Sequence, residues 1–247
     1  MFAPLIPIQI ISIYEVKKGV PADLPTRMAK CTVDMHKAVM GLAAALKDTG
    51  NALVLSDLYR SYEMQKQANL DFVEHRKKAF SPPPGGSMHE AGRALDLDLG
   101  KIKKMGLKAF WGEAAKHGLS PIIDKPDPET KESWHFDCRG SHQKVYDYYD
   151  AGRAKNFKAP YTAMAASAIV STGQKVDALG EDPKPGYVQS ALIRLGQDIG
   201  ALDGNLGQKS KDALTAIGID PAKPLDQIVA EIGVKLRAAF PGEYLPA

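Results

Sequence analysis

Several things are scarce in this chain, and each shortage closes a route. Its 247 residues include only two cysteines, Cys31 and Cys138, far apart and without a C-x-x-C pair. Neither a disulfide scaffold nor a four-thiolate zinc site can be built from them, and they leave the redox compartment open. No apolar run approaches the roughly 20 residues needed to cross a bilayer. The opening stretch MFAPLIPIQIISIYEVKKG is broken by Pro4 and Pro7 and lacks the basic start of a secretory signal; Ile8 to Tyr14 reads as a strand instead. A strong excess of one charge sign is missing too. A net charge of +3 with 25% charged residues suits an anionic partner but falls short of a nucleic-acid footprint. With 44% apolar residues, the chain is long enough to bury one medium domain and one small one.

Periodicity organises the rest. Val33 to Leu46 carries apolar residues at helical spacing and stops at Asp48-Thr49-Gly50; ALVLSDLYRSY reads as a strand entering a loop; Tyr62 to Lys78 reads as a charged helix. The SPPPGG block at Ser81 to Gly86 is a loop, having lost three amide donors to proline. In GRALDLDLG, Leu95, Leu97 and Leu99 alternate with Ala94, Asp96 and Asp98, the period-2 pattern of a strand with one face in the core. Met105 to His117 is helical. In ESWHFDC the same alternation puts Trp134 and Phe136 on one face and Ser133, His135 and Asp137 on the other. After about Asp150 the texture turns to Ala, Ser, Gly and Lys, then to GEDPKPG at Gly180 to Gly186, a linker composition. Three short amphipathic helical patterns follow. The expected layout is a main domain over 1–160, a linker over 161–186 and a three-helix module over 187–247.

The residues that carry chemistry converge on a metal. A catalytic zinc site takes three protein ligands and a water whose acidity the metal raises, and His89, Asp96 and His135 supply such a set. On strand-face grounds alone Asp98 serves as well as Asp96. Cys138 is turned away from His135 by the alternation and reads as a small buried apolar residue. The histidines at 36, 75, 117 and 142 read as structural or solvated. Glu132 lies three residues before His135, close enough to serve as a base.

Three motifs carry a family resemblance. Ser87-Met88-His89-Glu90-Ala91-Gly92-Arg93-Ala94-Leu95-Asp96 matches S-x-H-x-x-G-x-A-x-D, Glu132-Ser133-Trp134-His135 matches E-x-W-H, and Tyr59-Arg60-Ser61 with Gln65 matches Y-R-S-x-x-x-Q. Together they resemble the zinc D-alanyl-D-alanine carboxypeptidases, the family that includes the vancomycin-resistance enzymes. Leu58 stands where many relatives carry glycine. The resemblance implies an α+β fold with an antiparallel sheet, shared with lysostaphin-type peptidases and the Hedgehog signalling domain. It implies zinc as cofactor, His89, Asp96 and His135 as ligands, Glu132 as general base and Arg60 as electrophilic helper. Ser87, Tyr59 and Gln65 become candidate substrate contacts. The implied partner is peptidoglycan, and the implied place of action the periplasm or cell wall, reached by phage holin or dedicated secretion if no signal directs export.

The tail also resembles something known. Val188, Leu192, Leu195 and Gly196, followed by the turn of Asp203, Gly204 and Gly207, are similar to a small peptidoglycan-binding domain, though an Asp-Gly turn has a plain structural cause as well. The leading expectation is a D-alanyl-D-alanine carboxypeptidase. A peptidoglycan endopeptidase or endolysin would share the metal machinery, and a non-catalytic zinc-containing wall-binding protein is opposed by the intact Glu132 and Arg60.

Overall fold

The structure, a computed structural model, describes residues 2–153 and 155–245. Their strands and helices fall into two compact units. The first is built from Leu5–Ser81 and Gly92–Gly140 and contains every strand: β1 (Ile6–Pro7), β2 (Ile11–Lys17), β3 (Val20–Asp23), β4 (Lys30–Cys31), β5 (Leu55–Asp57), β6 (Ala94–Leu97), β7 (Ser120–Pro121) and β8 (His135–Asp137). β1 pairs with β4, and the other six form one sheet in the order β3-β2-β5-β6-β8-β7. The expected antiparallel sheet is present, with one parallel pairing, β2 against β5. The first long strand starts at Ile11 rather than Ile8. Ile8 and Ile10 are buried and hydrogen-bond irregularly, the Ile8 amide donating to Ala29 and the Ile10 carbonyl accepting from Leu24.

Helices α1 (Val33–Asp48), α2 (Tyr62–Val73) and α3 (Leu107–Lys116) belong to this unit. Leu42 and Leu46 of α1, Leu55, Leu95, Phe136 and Phe110 of α3 make its core, with the Phe110 and Phe136 rings edge to face at 5.1 Å. β6 is buried along its whole length, as a central strand covered on both faces must be, which is why a single leucine face understated it. α2 ends at Val73, short of the expected Lys78, because His75 adopts a positive φ of 59° that a helix cannot contain.

The second unit is formed by Pro82–Ala91 and, chiefly, the chain from Ser141 onward. It contains α4 (Gln143–Asp150), α5 (Pro160–Ser171), α6 (Pro183–Arg194), α7 (Gln208–Ala216) and α8 (Leu225–Ala239). The last three occupy the places of the expected helical patterns. The stretch 161–186, expected as a linker, instead carries the buried helix α5 and the start of α6. Small residues in PYTAMAASAIVS let α5 be buried along most of its length, from Ala163 to Ser171. The Asp-Pro-Lys-Pro run is a helix start, with Asp182 accepting from the Lys184 amide and Pro183 where no donor is needed. The Asp-Gly turn is held by buried Gln189, whose Oε1 accepts from the Asp203 and Gly204 amides. Gly204 is required there: its φ is +76°, and a Cβ would sit 2.2 Å from the Leu179 carbonyl oxygen.

Candidate metal centre

Three adjacent strands place a row of polar side chains. In register, Asp57 of β5 faces Asp96 of β6, and Asp96 faces His135 of β8. The first pairing depends on an irregularity: Leu55 pairs with Leu97, so two steps along β5 match one step along β6. Ser56 is the extra residue of a bulge, a device that re-aims side chains beside active sites. Without it, Asp57 would oppose Leu95.

Asp96 Oδ1 lies 2.9 Å from His135 Nδ1, and the other ring nitrogen, Nε2, lies 2.9 Å from Asp137 Oδ1. Burial of the ring favours the neutral imidazole, but the Asp137 and Asp96 carboxylates outweigh it and push the His135 pKa up to about 10. Arg60 occupies the other end of the row. Its Nε donates to Asp57 Oδ2 at 2.5 Å, its Nη1 donates to Gln65 Oε1 at 3.2 Å, and its Nη2 stands 3.5 Å from Asp96 Oδ2. Burial opposes the guanidinium charge, yet Asp57, Asp96 and Glu132 hold its pKa above the ordinary value. Glu132 is thus within electrostatic reach of Arg60. It sits in a turn with φ +65°, while its carbonyl accepts from the His135 amide; left-handed backbone at a non-glycine residue costs of order 1 kcal/mol or more and gathers at functional sites.

His89 follows the Pro-Gly loop, which Glu90 ties down: its carboxylate accepts from the Gly85 amide at 3.0 Å and the Ser87 amide at 3.2 Å. Ser87 Oγ accepts from the His89 amide, so Ser87 caps its loop. Gly92, between His89 and Asp96, has φ +64°, and a Cβ there would lie 2.9 Å from a Leu5 methyl and 3.0 Å from Cys31 Cα. The motif glycine is therefore demanded by backbone packing. Among the described residues, His89, Asp96 and His135 form a group in which each offers one ligand atom within 4.8 Å of the others. Two imidazoles and a carboxylate suit zinc in chemistry and number.

Asp98, the alternative to Asp96, is spent as the cap of a short 3-10 turn, accepting from the Gly100 amide at 2.8 Å. Gln65 is fully buried, bridging Arg60 and the Ser81 hydroxyl. Tyr59 is buried beneath Lys30, whose Nζ stands 4.2 Å from the ring centroid. Gln65 holds Arg60 from within. Asp57 and Asp137 were not singled out from the sequence. The signal for Asp137 was its place two residues after His135 on the same strand face; Asp57 gave none, because its bulge is invisible in periodicity. Cys31 and Cys138 are free and buried, and burial pushes the Cys31 thiol up to about 12, so it is unreactive.

Sheet, buried carboxylates and paired imidazoles define an α+β protein with a three-donor metal-type site. Comparison agrees with the resemblance carried by the motifs: residues 29–119 match the family model described as VanY: D-alanyl-D-alanine carboxypeptidase. The match takes in Arg60, His89 and Asp96 and ends before Glu132 and His135. No curated protein matches the chain. Among solved structures, the LdcB LD-carboxypeptidase is 21% identical with a TM-score of 0.41, over 55% of this chain and 69% of that one. DacB from Streptococcus pneumoniae D39 is also 21% identical, with a TM-score of 0.36 over 55% and 84%.

Proposed function

We propose that the protein is a zinc-dependent peptidase that removes the terminal D-alanine from peptidoglycan stem peptides, acting in the periplasm or cell wall. The family match supports hydrolysis of peptidoglycan peptides by a carboxypeptidase, and the observation that carries the finer reading is the convergence of His89, Asp96 and His135. These three residues would hold the metal. Zinc, when bound, supplies Lewis acidity toward the scissile carbonyl. Glu132 takes the proton of the attacking water on its carboxylate and returns it to the leaving amine. Arg60, charged at any working pH and braced by Asp57 and Gln65, presents fixed positive charge to the developing oxyanion without moving a proton. Among the described residues no helix is long and apolar enough to cross a membrane.

The helices after Pro183, with their Asp-Gly turn, are proposed to hold wall polymer. Tethering of this kind raises effective substrate concentration without altering the chemistry.

Digestion of purified muropeptides, read by mass spectrometry with and without chelator, tests the reading. Loss of a single terminal D-alanine, abolished by chelator, is expected. Masses from cuts inside the stem or cross-bridge would reassign the enzyme to an endopeptidase, and activity indifferent to chelator would remove the metal. The Glu132→Gln protein should co-sediment with intact sacculi; failure to do so would sink the wall-binding role.

A further inference from the structure

Asp137 is buried, and it is the carboxylate on the far side of His135 from Asp96. It has no place in the chemistry described above. Its Oδ1 is 2.9 Å from His135 Nε2, while His135 Nδ1 is the nitrogen turned toward Asp96. The two atoms lie on one strand two residues apart, so the β8 backbone fixes their spacing. β8 is itself clasped between β6 and β7, with Asp137 opposite Ala94 on one side and Ser120 on the other. The second oxygen, Oδ2, faces the Arg139 guanidinium at 3.9 Å, so the two carboxylate oxygens have different neighbours and Oδ1 is the one turned to the ring.

We propose that Asp137 is a positioning residue for the metal: by accepting the Nε2 proton it fixes the tautomer and ring plane of His135, so that Nδ1 presents its lone pair to the ion held with His89 and Asp96. The proposal rests on the zinc reading above and adds to it which ring nitrogen binds and which residue decides that. A histidine ligand oriented by a carboxylate is both more basic and less free to rotate, and loss of such a partner lowers metal affinity roughly ten- to hundredfold. A merely structural Asp137 would leave affinity unchanged in any variant that folds.

The test measures zinc affinity by competition with a chromogenic chelator for the wild type, Asp137→Asn and Asp137→Ala, with circular dichroism confirming the fold. The expected order is wild type tightest, Asp137→Asn intermediate because its amide oxygen still accepts, and Asp137→Ala weaker than wild type by roughly ten- to hundredfold. A second measurement needs no variant: nitrogen-detected NMR of the zinc-loaded wild type should show His135 protonated at Nε2 and metal-bearing at Nδ1. Equal affinity in a folded Asp137→Ala protein, or a metal on Nε2, would overturn the proposal while leaving the zinc enzyme intact. A wild type that binds no zinc would overturn the underlying reading instead.

Discussion

Both units of this protein bury arginine against carboxylate, and the Arg60–Asp57 and Arg194–Glu243 pairs differ in how far they are sealed. In the sheet unit, the side chains of Arg60 and Asp57 remain 11% and 15% exposed, and Arg60 Nη2 also faces Asp96 Oδ2 at 3.5 Å. In the helical unit, Arg194 and Glu243 are sealed at 1% and 7%, and the guanidinium is saturated by Ser141, Ser171 and Glu243. A sealed pair is compensated on every side and can act only on the fold. A pair that keeps some exposure beside a second carboxylate holds its charge where solvent can still reach it. On the function proposed above, the same residue types serve chemistry at Arg60 and architecture at Arg194, and residual exposure separates the two pairs.

The largest effect expected lies at the open end. Glu132→Gln keeps size and hydrogen bonding but cannot accept a proton, so turnover should fall by roughly a hundredfold to ten-thousandfold with zinc content and fold retained. Near wild-type hydrolysis in a zinc-loaded Glu132→Gln protein would remove Glu132 as the base. Next comes the sealed pair: Arg194→Ala leaves the Glu243 carboxylate buried and unmatched, which should cost about 3–5 kcal/mol of stability in denaturant unfolding. Arg60→Ala sharpens the contrast, with a loss of turnover on the order of a hundredfold and a far smaller loss of stability than Arg194→Ala. Comparable unfolding in the two arginine variants would break the distinction between them.

The smallest effect is a pH dependence of the metal-free protein. His135 has a folded pKa raised to about 10 from 6.5, so the stability it contributes is fully present below pH 6.5 and is lost as pH rises through about 10. Melting temperatures of chelator-treated protein should decline across that window, and His135→Asn should flatten the decline.

Much of the candidate site was legible because two of its residues come as a short motif on one loop and strand, and because period 2 turned Asp96 and His135 away from the leucines. The helices α1, α3, α7 and α8 were legible for the same reason, since amphipathic spacing shows directly in sequence. What escaped was governed by contacts distant in the chain. Small residues in α5 read as linker because sequence shows their size but not the neighbours that close over them. Asp98 matched Asp96 in the pattern, and only the turn that follows it decided against it. Gln65 and Tyr59 are expected from motif position to touch substrate, and that position does not show that both are buried.

The bulge at Ser56 has a consequence for how this site tolerates change over evolutionary time. A substitution in β5 alters one side chain, whereas a single-residue deletion there would carry Asp57 out of its place opposite Asp96 and release Arg60 from its anchor, with every atom of the metal set untouched. The register therefore tolerates a change of letter more readily than a change of length along these three residues. The loops, 80–86 and 121–131, are where insertions can accumulate and specificity can drift. At this bulge the number of residues matters before their identities do.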